Sequence, residues 1–120
     1  MSNAYDIGLK SEVFAKHFLE QKGYTLITER YRAASGEIDI IATKDDFLIF
    51  VEVRYRKKKR DAIESITLLK RQRLTTAAQH FIANNSELIK KHPFIRFDVV
   101  LLSKDSSIIH HIENAFGETL

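Results

Sequence analysis

Three acidic residues lie in two neighbouring apolar segments, where carboxylates are not expected without compensation. Glu37 and Asp39 belong to the segment GEIDIIA, and Glu52 belongs to FVEVRYR. Burying a carboxylate is costly unless a cation or several hydrogen-bond donors offset its charge. Two kinds of cation could do so: a divalent metal ion bound by carboxylate oxygens, or an arginine or lysine of the chain itself. The first would support phosphodiester chemistry, and the second would be structural.

The two segments read as the strands of a hairpin, and their register decides whether the acids meet. Because strand side chains alternate between faces, each strand places its charges on one face: Glu37 with Asp39 on the first, and Glu52 with Arg54 and Arg56 on the second. A connection of two or four residues around positions 44 and 45 puts Glu37 or Asp39 opposite Glu52. A three-residue loop could shift the register and separate them.

Hydrophobic periodicity predicts an α/β chain with elements in the order αβββαββ. Helices are predicted over residues 5–22 and 65–84, with a short helical piece ending at 92, and Gly23 is predicted to end the first helix. Strands are predicted over residues 24–31, 37–43, 47–56, 95–102 and 107–112. Strands that are hydrophobic on both faces predict a mixed sheet of about five strands, covered by helices on its two sides.

Length and composition limit the class of protein. A chain of 120 residues, 44% hydrophobic, predicts one domain over residues 1–120. No segment approaches the roughly 20 apolar residues that span a bilayer, and the start of the chain lacks a secretory pattern, so we expect a cytoplasmic protein without a membrane partner. There is no cysteine, which excludes thiolate catalysis and cysteine-bound zinc.

Basic residues are concentrated in one part of the chain. Nine of the nineteen lysines and arginines lie between positions 54 and 73. Apart from Arg54 these are Arg56, Lys57, Lys58, Lys59, Arg60, Lys70, Arg71 and Arg73. Such a block is typical of a polyanion-binding surface, because neutralising phosphates releases counterions. The alternative is a solvated loop that only keeps the protein soluble.

The motifs also resemble a known protein family. Asp39, followed after twelve residues by Glu52-Val53-Arg54, resembles the D…(D/E)xK core of the restriction-endonuclease-like superfamily. The whole chain resembles the YraN-like family of endonuclease-related proteins, which is similar to Holliday junction resolvases. The resemblance rests on GEIDIIA, FVEVRYR, the N-terminal helix with Glu12, KRQRL at 70–74, RFDVV at 96–100 and the terminal ENAF.

The resemblance implies a restriction-endonuclease-like fold, a site and a substrate. It implies that Mg²⁺ or Mn²⁺ is bound by Glu12, Asp39 and Glu52, and that Glu37, Asp39, Glu52 and Arg54 carry the reaction. The expected activity is metal-dependent endonucleolytic cleavage of branched or structured DNA, with DNA favoured over RNA and a homodimer on the DNA. The superfamily lysine falls on Arg54, whose guanidinium stays protonated and cannot act as a general base.

Three alternatives remain open at this stage. Arg54 could form a permanent ion pair with Glu52, leaving a non-catalytic nucleic-acid-binding protein on the nuclease fold. The basic block could instead belong to a small interaction domain. Glu12 could pair with Lys16, four residues along its helix, rather than face the sheet. Asp98, alone on a late strand, is predicted to be structural, and the five histidines show no zinc-binding spacing.

Overall fold

The computed structural model describes residues 4–55, 66–102 and 109–116. Its elements, in chain order, are α1 (Ala4–Gln21), β1 (Thr25–Ala33), β2 (Gly36–Lys44), β3 (Phe47–Tyr55), α2 (Leu68–Ala83), α3 (Ser86–Lys91), β4 (Phe94–Leu102) and β5 (Ile109–Ile112). This order confirms the predicted αβββαββ arrangement, with the second predicted helical region divided into α2 and α3. No helix in the described ranges combines the length and the apolar character needed to cross a membrane.

The five strands form one mixed sheet in the order β1-β2-β3-β4-β5. Strands β3 and β4 are parallel, whereas the other three neighbouring pairs are antiparallel. The chain between β3 and β4 contains α2 and α3, the kind of helical crossover that parallel neighbours require. The mixed sheet predicted from the sequence is therefore confirmed.

Helices cover both faces of the sheet, as the hydrophobic pattern of the strands predicted. On one face α1 packs Ala15 and Leu19 against strand residues that include Ile40, Ile49 and Val51. On the opposite face α2 packs against a second cluster, which contains Ile38, Ile41, Leu48, Phe50, Leu74, Ala77, Ala78, Phe81, Phe97 and Val99. The central strand β3 contributes to both clusters, so its backbone position is fixed from both sides.

Local signals place the helix ends. Gly23 adopts φ +91°, a left-handed conformation that glycine accepts without a steric penalty, and it ends α1 as predicted. Helix α2 begins at Leu68, later than the predicted residue 65, because the Thr67 hydroxyl caps it by accepting a bond from the Lys70 backbone N–H at 3.2 Å. The predicted basic loop at 57–60, together with Arg56, lies outside the described residues.

Asp98 supports the predicted structural role, and its partners come from several parts of the fold. Its side chain is fully buried. It accepts two hydrogen bonds from Arg96, at 2.8 and 2.9 Å, one from the Asn114 backbone N–H at 3.0 Å, and bonds His111 Nε2 at 2.7 Å. Although burial alone would raise it, these bonds hold the pKa of Asp98 below its ordinary value. The Asp98 network thus ties β5 and the following turn to β4.

Replacing Asp98 with alanine should strongly destabilise the fold. The change leaves the partly buried Arg96 without its carboxylate, and breaking a buried ion pair on one side costs about 3–5 kcal/mol. Urea denaturation of Asp98→Ala should show this loss relative to the wild type. Asp46→Ala, a change of an exposed turn residue, is the control and should cost less than about 1 kcal/mol; similar losses in both variants would contradict the structural role.

Candidate functional site

The β2–β3 hairpin brings two of the predicted acids together. Its connection is two residues long, because Lys44 pairs with Phe47, and the register continues to Ile40 opposite Val51. Asp39 and Glu52 lie next to this last pair on their strands, close enough for the charge of Glu52 to contribute to the raised pKa of Asp39. Asp39 Oδ2 accepts a hydrogen bond from the Val53 backbone N–H at 2.8 Å, which fixes the aspartate against β3. The predicted proximity of Asp39 and Glu52 is thus present in the hairpin.

Strand β2 is irregular at Asp39. Its pairing with β1 skips Arg30 and Asp39, and its pairing with β3 ends at Ile40. Ile38 packs with the α2 cluster although Ile40 packs with the α1 cluster, whereas residues two apart in a regular strand share a face. Arg30 has φ +50°, a conformation that non-glycine residues rarely adopt. The Asp39 carboxylate therefore replaces a regular backbone contact to β3.

The two acids line a cleft between the hairpin and α2. Its volume is about 350 Å³, and it is lined by Ser35, Gly36, Glu37, Asp39, Glu52, Lys70, Arg73 and Leu74. A Cβ atom on Gly36 would lie 3.5 Å from Arg73 Cβ, so the β1–β2 turn packs directly against α2. The cleft thus contains carboxylates on its strand side and two cations on its helix side.

Two cations of the chain approach the same oxygen of Glu52. Arg54 Nε and Lys70 Nζ each lie 3.4 Å from Glu52 Oε1. The Glu52 side chain is only 7% exposed, Arg54 is 12% exposed and Lys70 is 42% exposed. Arg54 Nε and Nη2 are buried and have no hydrogen-bond partner among the residues that the structure describes. The ion pair that the sequence left as an alternative for Arg54 is present, and Lys70 adds a second one.

These cations do not fully offset the acidic pair. Burial, and then the repulsion of Glu52, raise the pKa of Asp39 to about 7, against the lowering effect of the Val53 bond and Lys70. Burial likewise raises the pKa of Glu52 above its ordinary value, although Lys70 and Arg54 oppose the increase. Buried like charges that remain poorly compensated are a frequent feature of functional sites.

The donor set suits a hard divalent cation with water in its shell. Mg²⁺ is commonly held by one or two carboxylates, together with waters and substrate phosphates, and Asp39 and Glu52 supply two carboxylates on one cleft wall. Among the described residues, no three His, Cys, Asp or Glu side chains are grouped closely enough to hold a metal ion. The pair therefore fits Mg²⁺ or Mn²⁺ only as a site completed by water or substrate oxygens.

The other two predicted acids lie at the margin of this pair. Glu12 Oε2 accepts a hydrogen bond from Arg30 Nε at 2.9 Å, so its partner is on β1 and not Lys16. Lys16 instead pairs with Glu29 at 2.7 Å. Glu12 is still near enough to contribute to the raised pKa of Asp39. Glu12 therefore adds negative charge near Asp39, while its own carboxylate is hydrogen-bonded to Arg30.

Glu37 lines the cleft, but its carboxylate is more accessible than those of the pair. Its side chain is 39% exposed, and Arg32 Nε lies 3.3 Å from Glu37 Oε2. Among the predicted nucleic-acid contacts, Lys70 and Arg73 also line the cleft. Arg71 lies on the same helix with its guanidinium 5.4 Å from the centre of the Phe116 ring. The structure thus gathers Glu37, Asp39, Glu52 and Arg54 with two helical cations.

Sequence reasoning missed two contributors to the site. Lys70 was predicted as a nucleic-acid contact, and nothing in a linear motif indicates that its ammonium would reach Glu52. Arg30 was not singled out, although its bond to Glu12 sets the position of that carboxylate. No motif spacing connects Glu12 on the predicted helix with Arg30 on the predicted strand, because their contact depends on how α1 packs on the sheet.

Comparison with known proteins gives a consistent family assignment. Residues 11–102 match the family described as "Uncharacterised protein family UPF0102". The chain is 37% identical to a UPF0102 protein of Azorhizobium caulinodans over 113 residues, covering 94% of this chain and 84% of the relative. It is 39% identical to a UPF0102 protein of Saccharophagus degradans, covering 97% of each chain. The matched region contains every acidic residue of the cleft.

The raised pKa of Asp39 predicts how stability changes with pH. Below its ordinary pKa of 3.8 the group is protonated whether folded or unfolded, and between 3.8 and about 7 only the folded chain keeps the proton. Stability should therefore fall as pH rises through this window, because unfolding releases the proton. In metal-free buffer the stability lost at Asp39 across this window is on the order of 4 kcal/mol.

Asp39→Asn should reduce this fall, leaving the part due to Glu52, and be more stable than the wild type at pH 8. Urea denaturation in EDTA across pH 4–8 measures the difference, with Glu87→Gln on the exposed face of α3 as a matched control. The same pH dependence in Asp39→Asn and wild type would contradict the strained carboxylate pair.

Proposed function

This chain belongs to the UPF0102 family, the YraN-like family that its motifs predicted, and we propose that it is a divalent-metal-dependent DNA endonuclease. The observation that carries the proposal is the placement of Asp39 and Glu52 together in a cleft, where burial, and after it the charge of Glu52 on Asp39 and of Glu37 on Glu52, raises both carboxyl pKa values. Such a pair is costly in a purely structural role, and a divalent cation would offset it. The resemblance of the same two residues to a nuclease core adds independent support.

The cleft residues divide into two roles in this proposal. Asp39 and Glu52 would hold Mg²⁺ or Mn²⁺, which when bound supplies a polarised water and neutralises charge in phosphodiester hydrolysis. Lys70 and Arg73 on the opposite wall orient the DNA phosphate, since cations there face the acids across the cleft. Glu37, accessible to solvent in the same cleft, accepts the proton released by the attacking water. Arg54 remains charged and takes no part in proton transfer.

The proposed substrate is DNA with a branched or otherwise structured geometry. Phosphate contacts come from Lys70, Arg71 and Arg73 on α2, joined by the basic residues 56–60. These groups recognise backbone charge and shape rather than base edges, so sequence specificity is not expected. A homodimer on DNA would place one cleft at each of two strands, as symmetric cleavage of a junction requires.

A second candidate function is supported by the ion pairs at Glu52. Because Arg54 and Lys70 already contact Glu52 Oε1, the acid has cationic partners without any metal ion. On this alternative the domain binds nucleic acid and does not cut it. Salt dependence does not separate the two candidates, since phosphate contacts weaken with salt in both. Cleavage does.

Removing either carboxylate should abolish cleavage while the fold is retained. A labelled four-way DNA junction is incubated with Mg²⁺ or Mn²⁺, and Asp39→Asn and Glu52→Gln should each lose at least about 100-fold in rate. Glu87→Gln is the control acid and should cleave like the wild type. Junction binding in EDTA should persist in all three variants, because the phosphate contacts lie on other side chains.

The opposite result would favour the binding module. If the wild type binds the junction with steep salt dependence but cuts it in neither metal, the endonuclease proposal fails. If Asp39→Asn and Glu52→Gln cleave at the wild-type rate, cleavage does not depend on this pair. If the wild type shows no retention on nucleic acid even at low salt, both candidates fail, and an interaction domain remains.

A further inference from the structure

Lys70 and Arg54 share one acidic oxygen but differ in their freedom to leave it. Both nitrogens lie 3.4 Å from Glu52 Oε1. The Arg54 side chain is 12% exposed, and it lies on β3 itself, two residues from Glu52. The Lys70 side chain comes from α2, across the cleft, and is 42% exposed. A solvated ammonium on a flexible four-carbon stem can change partners with little rearrangement, whereas the confined guanidinium cannot.

The contact that Lys70 makes with Glu52 is also long. Charge-assisted N–H···O bonds are typically about 2.7–2.9 Å, and the Lys16–Glu29 pair of this chain is 2.7 Å. At 3.4 Å the ammonium offsets the charge of Glu52 without a short bond that holds it in place. Its charge nonetheless acts on the pair, because Lys70 opposes the rise in pKa that burial causes at both Asp39 and Glu52.

We propose that Lys70 is an exchangeable counter-ion of the carboxylate pair. In the metal-free protein its ammonium offsets Glu52; when a divalent ion binds to Asp39 and Glu52, Lys70 releases the glutamate and binds a phosphate oxygen of the nucleic acid in the same cleft. This inference rests on the proposed function, since the phosphate belongs to its substrate. The strand position of the superfamily lysine is occupied by Arg54 in this chain. Lys70, which lies on α2, would then be the lysine that acts in the cleft.

If Lys70 exchanges partners in this way, removing its charge should have opposite effects on metal binding and on cleavage. A lysine that competes with the divalent ion for Glu52 weakens metal binding, so its removal should tighten metal binding. A lysine that then binds the substrate phosphate supports cleavage, so the same removal should slow the reaction. A merely structural lysine would move neither quantity in this way, and a nonspecific surface contact would leave metal affinity unchanged.

The metal half is tested by isothermal titration calorimetry with Mn²⁺ in the absence of DNA. Lys70→Met keeps most of the stem and removes the charge, and its Kd for Mn²⁺ should be about fivefold lower than that of the wild type. Lys70→Arg keeps the charge and should bind Mn²⁺ like the wild type. The matched control is Lys90→Met, which removes an exposed lysine paired with Glu87 at 3.2 Å and should change nothing.

The phosphate half is tested with the same variants on the four-way junction at saturating Mn²⁺. Lys70→Met should cleave about 100-fold more slowly than the wild type despite its tighter metal binding, whereas Lys90→Met should cleave normally. Unchanged or weaker Mn²⁺ binding by Lys70→Met overturns the exchange, and so does an unchanged cleavage rate.

The two proposals can fail separately. If the wild type binds Mn²⁺ but cuts no DNA, the endonuclease proposal fails. The exchange of Lys70 between Glu52 and phosphate is then tested by measuring junction binding with and without Mn²⁺. In that case Lys70→Met should weaken binding more in Mn²⁺ than in EDTA, because only the metal-bound protein offers Lys70 to the phosphate. An equal effect in the two buffers would overturn the inference. If the wild type cleaves but Lys70→Met shows neither signature, the inference alone fails.

Discussion

The confinement of two carboxylates, the buried Glu52 and the partly buried Asp39, is the constraint on which the cleft depends. Asp39 and Glu52 are brought together by a short hairpin whose strands are packed from both sides, so neither acid can move away without disturbing the sheet. The hydrogen bond from the Val53 N–H to Asp39 holds the aspartate against its neighbour despite the unfavourable charge. The fold therefore maintains a high density of negative charge that calls for a cation.

Three cations could offset this negative charge: Arg54, Lys70 and a divalent metal ion. They differ in how freely each can leave the two acids. Arg54 is confined beside Glu52 and supplies a permanent charge, while Lys70 reaches the same oxygen from α2 and stays in contact with solvent. A divalent ion carries twice the charge and can be bound by both acids at once. The chain thus compensates its acids incompletely with its own side chains. Under the proposed function, this would leave a driving force for metal binding and would free Lys70 when the metal binds.

Much of this arrangement follows from local sequence, and the rest depends on packing between distant segments. Alternation along the strands and a two-residue turn predict that Asp39 meets Glu52, and the hydrophobic stripes predict the covered mixed sheet. The contact between Lys70 and Glu52 depends on how α2 is placed over β3, which no local pattern specifies. Glu12 bonds Arg30 instead of Lys16 because α1 packs across β1, and Asp98 meets His111 only when β5 folds back on β4.

A crystal structure grown with Mn²⁺ would show whether the carboxylate pair binds a metal ion, because anomalous scattering locates the ion without assumptions about chemistry. We expect an anomalous peak in direct coordination of Asp39 and Glu52, at about 2.0–2.3 Å from their oxygens, with Lys70 Nζ no longer beside Glu52 Oε1. A structure at saturating Mn²⁺ with no peak between the two acids, and with Lys70 and Arg54 still paired to Glu52, would contradict this expectation.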